Sequence, residues 1–348
     1  MPMKTALESN RVAVVTRGPL WSSAKIAALA LCLVIVAVPA FAWNDEGHMA
    51  IAYLAYQRLQ PATRARVNAL LKLNPYYSKW RAALPAGISE ADADRMIFMI
   101  AATWPDQLRT DPAYMDDGPN HGNSPPSGPK AARNIGYADH LRHKYWHFID
   151  IPYTQDGTRL PPTPAPNAET QIAAFRRALN SNASDGVKSY DLSWLEHLVG
   201  DIHQPLHAIT RVIKSMPDGD AGGSLDMLCA SPCGNSLHWF WDRLVGSQNG
   251  IEDPGRHPDM ATEVRSAISA AQALPPADPA AAAKMQERAW VQESFDLAKQ
   301  YVYVSPVGPG AGPFTLNAQY YAAAKRVAEQ RVALAGARLG NLLNQELK

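Results

Sequence analysis

Two segments of the chain repeat one pattern, in which a histidine is followed four residues later by an aspartate within an apolar stretch. The pairs are His197 with Asp201 and His238 with Asp242. A spacing of four residues places both side chains on one face of a helix. Burying so many ionisable groups is costly unless opposite charges are paired with them. The chain must therefore fold around partners that neutralise these groups, and divalent cations are the natural partner.

Further potential ligands lie close to these pairs in the sequence. Asp106 follows a Trp-Pro dipeptide, and His147 precedes Asp150 by three residues. Pro205 interrupts helical hydrogen bonding, so that His207 can face a different ion from the preceding helix. A single residue of this kind is more often an ordinary hydrogen-bonded side chain, but the repeated pairs favour metal binding. Imidazole and carboxylate ligands without thiolate favour zinc over manganese or iron.

The first 42 residues have the three parts of a secretory signal. Basic residues come first, then an apolar run and a cleavage site of small residues: Lys4, Arg11, Arg17 and Lys25, then Ile26 to Val38, then Ala40-Phe41-Ala42. The alternative is a membrane anchor, but a membrane-spanning helix needs ~20 apolar residues, more than this run offers. We therefore predict a signal peptide over residues 1–42, cleavage before Trp43, and a periplasmic or extracellular location.

Charge and cysteine content narrow the function of the remaining chain, residues 43–348. Without the prefix, Lys plus Arg falls from 33 to 29 and Asp plus Glu from 32 to 31, so the formal charge is 29 minus 31, or −2. A protein that binds duplex nucleic acid by neutralising its backbone would be basic. Any phosphate chemistry here therefore requires bound cations. Cys229 and Cys233 favour one short disulfide in an exported chain, with a two-cysteine metal site as the alternative.

Apolar residues recur at helical spacing along most of the chain, which predicts an all-α (mainly α) fold. The predicted helical stretches are 43–59, a helix that opens at Pro61, 89–103, 168–179, 191–209, 257–274, 279–303 and 316–347. Ser89 and Asp278 are the predicted N-caps of two of them. Only 148–151 and 302–304 are candidates for extended structure. Proline-rich stretches at 110–130 and 152–166 predict long surface loops that shape a cleft, within a single-domain helical bundle over 43–348.

The order of these motifs resembles the zinc-dependent single-strand-specific nucleases of the S1/P1 type, within the zinc phospholipase C/nuclease superfamily. The motifs that carry the resemblance are Trp43…His48, Trp104-Pro-Asp106, Trp146-His-Phe-Ile-Asp150, His197-x-x-Gly-Asp201-x-x-Gln-Pro-Leu-His207, Gly222-Gly223 and Leu237-His238-x-x-Trp241-Asp242. They cover nearly all of the chain after the signal. The resemblance implies a helical fold with three zinc ions in a cleft. It also implies cleavage of single-stranded DNA and RNA, often with 3′-nucleotidase activity on nucleotides, by a protein that we expect to be a monomer.

Carried over residue by residue, the family pattern implies nine ligands. One zinc would be held by Asp106, His147 and His197; its neighbour by the terminal amine and carbonyl of Trp43 with His48; Asp201 would bridge the two; and His207, His238 and Asp242 would hold the third. Signal cleavage would thus create a metal ligand. Asp150 is the candidate for orienting or deprotonating the attacking water, with the alternative that it fixes the imidazole of His147. Trp239, Phe240 and Tyr145 are candidate platforms for a base, although aromatic residues more often occupy cores.

Some features depart from the family or suit other functions. The spacing from Asp106 to His147 is longer than in the fungal enzymes, and Ser236 stands where relatives often have Asn. A zinc-dependent phospholipase C is the main alternative, but that family usually carries Glu where this chain has Asp242. A zinc-sequestering protein would be expected to carry a histidine-rich tract, which this sequence does not contain. The sequence therefore favours the nuclease.

Overall fold

Helices account for most of the structure, a computed structural model that describes residues 43–229, 235–246 and 259–347. The predicted mainly α-helical fold is confirmed. All described residues lie in one compact unit, Ala37–Lys348. None of the helices in the described ranges is long and apolar enough to cross a membrane. The predicted signal peptide, residues 1–42, lies outside the described residues.

The α-helices in the described part of the chain are α1 Asp45–Arg58, α2 Pro61–Leu71, α3 Tyr77–Ala82, α4 Glu90–Ala101, α5 Trp104–Leu108, α6 Ala168–Leu179, α7 Asp185–Asp201, α8 Leu237–Asp242, α9 Met260–Ala273, α10 Pro279–Ala282, α11 Glu287–Leu297 and α12 Ala318–Glu346. Short 3₁₀ turns occur at Pro129–Ala132, Gly136–Ala138, Lys144–Trp146 and Pro205–Ala208, and a π-helical turn at Ala298–Val302. Strands β1 Pro152–Tyr153 and β2 Thr210–Arg211 pair in parallel, whereas β3 Met227–Leu228 and β4 Asn235–Ser236 pair antiparallel.

Several helix boundaries follow from residues visible in the sequence. The side chain of Ser89 accepts a hydrogen bond from the backbone N–H of Asp92 at 3.1 Å. Asp278 accepts one from Ala281 at 2.8 Å. Both predicted N-caps are therefore confirmed, because each oxygen satisfies an otherwise unpaired N–H at the helix start. Pro61 occupies the first position of α2, where its missing N–H has no cost.

Other predicted boundaries are wrong. The helix predicted over 191–209 begins at Asp185, with Ser184 as its N-cap, and ends at Asp201. Pro205 then opens a 3₁₀ turn because it has no N–H to continue an α-helix. The stretch predicted over 279–303 is divided into α10 and α11, and Val302 ends a π-helical turn rather than forming a strand. The short helices α3 and α5 were not predicted, since each is too short to show a clear apolar period.

Helix α1 lies at the centre of the packing, against α12 and α9. Two glycines of α12 allow the close approach of α1. A Cβ at Gly336 would lie 2.6 Å from Cβ of Leu54, and one at Gly340 would lie 2.9 Å from Cβ of Arg58. Helix α1 therefore packs closely on α12, and its buried residues include His48.

Candidate metal centre

The first group of potential ligands surrounds Asp201, the last residue of α7. Nδ1 of His147 and Nε2 of His197 each lie 3.3 Å from Oδ2 of Asp201. Nε2 of His48 lies 3.3 Å from the other oxygen, Oδ1. Oδ1 of Asp106, on α5, lies 3.7 Å from Nδ1 of His147 and 3.8 Å from Nε2 of His197. Asp201 thus faces His147 and His197 with one carboxylate oxygen and His48 with the other.

Local sequence explains how α1 and α7 come close enough to form this group. The rings of His48 and His197 are stacked, with centroids 3.9 Å apart. Gly200 of α7 lies beside the His48 ring, and a Cβ there would be only 2.9 Å from Nδ1 of His48. Glycine therefore leaves space for the His48 ring, while the spacing of four between His197 and Asp201 keeps both side chains on the same face of α7.

The second group joins the 3₁₀ turn after α7 to helix α8. Nε2 of His238 lies 3.1 Å from Nε2 of His207 and 3.5 Å from Oδ2 of Asp242. The side-chain amide of Gln204 donates a hydrogen bond to Oδ1 of Asp242 at 2.7 Å. Because Gln204 satisfies one carboxylate oxygen, the other is oriented toward His238.

Hydrogen bonds assign the protons of the two histidines in this second group. Nδ1 of His207 lies 2.7 Å from the carbonyl of His147, and Nδ1 of His238 lies 2.7 Å from the carbonyl of Gly222. A carbonyl only accepts, so each Nδ1 carries the proton, and each neutral ring then has a lone pair at Nε2. Two lone pairs 3.1 Å apart repel each other unless a cation lies between them. Backbone carbonyls of this kind orient metal-binding imidazoles in proteins.

All eight side chains are buried, and their chemistry fits divalent cations. Among the described residues, both ring nitrogens of His48, both oxygens of Asp201 and Oδ1 of Asp106 have no hydrogen-bond partner. Such unsatisfied atoms are costly in an interior without a neutralising partner. The potential ligand atoms form three groups: His48, Asp106 and His197; His147, His197 and Asp201; and His207, His238 and Asp242. The structure thus brings together every side chain that was predicted as a ligand.

The pKa directions of Asp201 and His147 agree with the protonation states that metal binding requires. Burial would raise the pKa of Asp201, but the facing histidines, His197 first, hold it well below its usual range. Burial, together with the charge of Arg109, lowers the pKa of His147 to about 3. An ionised Asp201 and a neutral His147 are the forms that donate electron pairs to a cation. These two groups can therefore bind a cation without first losing a proton. His197 and Asp242 lose one on binding, because the carboxylates of Asp201 and Asp106 raise the pKa of His197 to about 8 against the effect of burial, and burial raises the pKa of Asp242.

Trp43 lies beside the same helix. Its side chain is fully buried, and its indole Nε1 donates a hydrogen bond to the carbonyl of Gly200 at 3.0 Å. The next residue, Asn44, donates its backbone N–H to the carbonyl of Asp242 at 3.0 Å. The main chain at Trp43 is thus adjacent to ligand-bearing segments of both groups, which is where the predicted terminal amine would be needed.

Comparison with known proteins agrees with this geometry. The family model for S1/P1 Nuclease matches residues 43–348. The chain belongs to the S1/P1 nuclease family. Endonuclease 5 of Arabidopsis thaliana is 27% identical over 176 residues, which cover 47% of this chain and 55% of that protein. The aligned region therefore spans about half the length of this curated relative. S1/P1 nucleases are metal-dependent, in agreement with the three groups of potential ligands.

Asp150 of this S1/P1 family member lies outside the three groups of potential ligands. The preceding residue, Ile149, donates its backbone N–H to the carbonyl of His207 at 2.7 Å, so Asp150 lies next to the second group. Burial, together with the charge of Asp220, raises the pKa of Asp150 to about 7. The alternative role, fixing the ring of His147, is not found, because Nε2 of that ring has no hydrogen-bond partner among the described residues.

Arg109 is a functional candidate that the sequence analysis missed. It is 9% exposed, and its Nε lies 3.5 Å from Oδ1 of Asp106. Its positive charge acts to lower the pKa of Asp106, His147 and His207, and it opposes the rise that burial causes in the pKa of Asp242. The guanidinium is therefore close to both groups. The spacing of three residues from Asp106 on a helical turn was the available signal.

The proline-rich loop over 110–130 is attached to the segment that leads to His147. Asp116 forms ion pairs with Arg142 at 3.2 Å and Lys144 at 2.9 Å. Asp117 lies 2.7 Å from Nδ1 of His143, whose Nε2 lies 3.1 Å from Asp139. We call the contacts of Asp116 and Asp117 with residues 142–144 the acidic clasp. It holds the predicted loop against the segment that leads to His147.

Two remaining predictions concern residues around α8. Cys229 is the last residue before an undescribed stretch and Cys233 lies outside the described residues, so their disulfide stays a prediction. Ser236, which stands where relatives often have Asn, accepts a hydrogen bond from the N–H of Trp239 at 3.1 Å. The serine is thus the N-cap of α8 and preserves the helix that carries His238 and Asp242.

Proposed function

We propose that this protein is an exported, monomeric, zinc-dependent hydrolase that cleaves phosphodiester bonds of single-stranded DNA and RNA to 5′-phosphorylated products. We also propose 3′-nucleotidase activity. The observation that carries the proposal is the arrangement around Asp201, whose two oxygens face different imidazoles at 3.3 Å. A carboxylate that serves two ions needs this orientation. Membership of the S1/P1 nuclease family supports the reaction class.

The metal assignment follows from the donor set. Asp106, His147 and His197 would hold one ion, His48 and the terminal amine and carbonyl of Trp43 a second, and His207, His238 and Asp242 a third, with Asp201 bridging the first two. Imidazoles and carboxylates in this combination favour zinc. When bound, such ions supply an activated water and neutralise negative charge on the phosphate.

The chain's own residues would do the rest of the chemistry. Arg109, close to both groups, would bind a non-bridging phosphate oxygen and orient the scissile bond between them. Asp150 would orient the attacking water and hold its proton, in agreement with a pKa of about 7. Because burial excludes bulk water from the ligands, these charges would act on the phosphate with little screening.

Preference for single strands would come from an unpaired base stacked near α8. Of the three aromatic candidates, Tyr145 and Phe240 are each 1% exposed and belong to the core. Trp239 is only partly buried, and the guanidinium of Arg243 lies 4.6 Å from the centre of its ring. We therefore propose Trp239, adjacent to His238, as the platform. A base in a duplex could reach it only after unstacking.

The test compares five substrates, with 3′-AMP as the fifth, using purified protein that begins at Trp43. Single-stranded DNA, RNA, duplex DNA and phosphatidylcholine vesicles are incubated with and without EDTA, and acid-soluble nucleotide, inorganic phosphate from 3′-AMP and phosphocholine are measured. We expect EDTA-sensitive release of 5′-phosphorylated nucleotides from the single strands, with little from the duplex. Release of phosphocholine alone would identify a phospholipase C instead.

A matched pair of variants on α7 separates chemistry from folding. Asp201→Asn removes the bridging charge, whereas Asp185→Asn changes the same residue type at the exposed start of the same helix. We expect the first variant to lose activity and the second to keep it. Full activity in Asp201→Asn would contradict the proposed centre.

A further inference from the structure

A second cluster of buried charges lies beside the second group of ligands, and the proposed mechanism uses it only through the charge of Asp220, which adds to the effect of burial on the pKa of Asp150. Arg211, Asp220 and Asp226 are each 0% exposed, and the hydroxyl of Tyr303 donates a hydrogen bond to Oδ2 of Asp220 at 2.7 Å. A buried charge cluster of this kind is weak evidence for stability, because the cost of desolvation offsets its attraction. Its position relative to His238 suggests another role.

Both terminal nitrogens of the Arg211 guanidinium donate hydrogen bonds within this cluster, and Nε lies 3.5 Å from Oδ2 of Asp220. Nη2 donates to both oxygens of Asp226 at 2.7 and 2.8 Å and to the carbonyl of Gly310 at 2.9 Å. Nη1 donates to the carbonyl of Gly308 at 2.5 Å. The same guanidinium lies 4.9 Å from the centre of the Tyr303 ring. The contact of one nitrogen with both oxygens of Asp226, on a planar guanidinium held by two carbonyls, limits the orientation of this carboxylate.

Asp220 and Asp226 lie at the two ends of one turn. Oδ1 of Asp220 accepts the backbone N–H of Arg211 at 2.8 Å, and the N–H of Asp220 donates to the carbonyl of Arg211 at 3.0 Å. The carbonyl of Asp226 accepts the N–H of Leu237, the first residue of α8, at 2.8 Å. The cluster therefore anchors both the start and the end of the turn that contains Gly222 and Gly223.

This turn makes the contacts that orient His238. The carbonyl of Gly222 accepts from Nδ1 of His238 at 2.7 Å, and the carbonyl of Gly223 accepts its backbone N–H at 3.2 Å. Gly222 has φ 59°, and a Cβ there would lie 2.5 Å from the carbonyl oxygen of Leu206. The turn is therefore packed tightly between the segment of His207 and helix α8, and a small displacement would move the His238 ring.

We propose that Arg211, Asp220 and Asp226 are positioning residues for the ion held by His207, His238 and Asp242. They fix the Gly222–Gly223 turn, and the turn fixes the proton and the ring orientation of His238. The inference rests on the proposed metal centre and extends it to a cluster that touches neither substrate nor metal. Partners that orient a ligand in this way typically change metal affinity by roughly 10–100-fold when removed.

The experiment measures zinc, not only activity. The full exported protein and its variants are equilibrated at a series of buffered zinc concentrations. The zinc bound per chain is then measured by inductively coupled plasma mass spectrometry. His238→Ala serves as the reference for loss of this ion. We expect Asp226→Ala to lose the same equivalent of zinc as His238→Ala, while the remaining zinc binds with unchanged affinity. Tyr303→Phe removes only the hydrogen bond to Asp220, and we expect about tenfold weaker binding of that one ion.

The control is Glu346→Ala, which removes a carboxylate that forms an ion pair with Arg176 at 2.8 Å. Both residues lie on helices, α12 and α6, that carry none of the proposed ligands. We expect it to bind zinc like the wild type. Wild-type zinc binding by a folded Asp226→Ala would overturn the inference. If that variant does not fold, Tyr303→Phe decides, and unchanged affinity there overturns it. Wild-type protein without bound zinc, or His238→Ala without effect, would instead refute the metal centre.

Discussion

The indole of Trp43 donates a hydrogen bond to the carbonyl of Gly200, the residue immediately before Asp201, at 3.0 Å. This contact joins the start of the predicted mature chain to the helix that carries the proposed bridging carboxylate. A buried tryptophan held by its Nε1 places the backbone at this point with little freedom. An α-amine at Trp43 would therefore be fixed near the ligands of the first group.

The first prediction tests this amine. A residue left in front of Trp43 converts the amine into an amide, which has no lone pair to donate to a metal. Cytoplasmic protein with an initiator methionine before Trp43 should bind one zinc fewer and hydrolyse single-stranded DNA poorly. Exported protein should be fully active, and mass spectrometry of both forms verifies their N-termini. Equal zinc content and activity in the two forms would contradict a terminal ligand and the need for cleavage after Ala42.

The variants Asp201→Asn and Asp150→Asn should differ in the number of zinc ions that they bind per chain. A neutral amide at Asp201 cannot balance two cations, so Asp201→Asn should lose at least one zinc. Asp150→Asn should keep its zinc and lose activity, because Asp150 lies outside the three groups of ligands. Zinc analysis and hydrolysis of single-stranded DNA give both readings. A full zinc complement in Asp201→Asn would show that the carboxylate does not bridge.

Removal of zinc should destabilise the folded protein as well as abolish activity. The proposed ligands come from α1, α5, α7, α8, the turn Pro205–Ala208 and the segment at His147, so bound ions connect segments that are distant in sequence. Their binding energy is therefore part of the folding energy. We expect EDTA to lower Tm on the order of 10 °C, with recovery on adding zinc back. An unchanged Tm after verified removal would mean that the ligands do not bind metal in the folded state.

Arg109 should be required for turnover but not for metal binding. Loss of one preorganised charged donor to a phosphate typically costs about 10²–10³ in kcat. We expect Arg109→Gln to show a loss of this size while zinc content and Tm stay close to wild type. Arg95→Gln, a change at an exposed ion pair with Asp92, is the control. A variant that loses zinc in proportion to its activity would assign Arg109 to the support of Asp106 instead.

The acidic clasp should make stability depend on pH. Burial acts to lower the pKa of His143, but its hydrogen bonds to Asp117 and Asp139 outweigh this and raise the pKa above 6.5. The folded state therefore holds this proton more tightly than the unfolded state. The resulting stabilisation is complete below pH 6.5 and is lost as pH rises through the folded pKa.

The measurement compares wild type with His143→Asn by urea unfolding at saturating zinc between pH 6 and 9. Asparagine suits this position because it tolerates the left-handed backbone at φ 44°. We expect the difference in unfolding free energy to shrink as pH rises. His121→Asn makes the same change at an exposed residue with φ 55° in the same loop and should show no such trend. A difference that is constant with pH would mean that His143 is not charged in the clasp.

Local sequence was sufficient for much of the fold and for the types of ligand. Ser89 and Asp278 identified helix starts because a cap acts on its own helix within three residues. The spacing of His197 and Asp201 identified a shared helical face for the same reason. Predicted helix boundaries were wrong where tertiary packing determines them, as at the start of α7. Moving a helix end by a few residues changes the free energy less than the tertiary contacts of the buried helix face do.

The sequence alone, read through its local spacing and its order of motifs, determined which histidines and aspartates are candidate ligands. Only the tertiary structure decided that the two oxygens of Asp201 face different imidazoles, that Arg109 lies close to both groups, and that Arg211 supports the turn beside His238. The reason is physical: helical periodicity relates residues three or four apart, whereas these contacts join segments that meet only when the helices pack. Their geometry depends on the close approach that Gly200 and Gly222 allow, which no local pattern encodes.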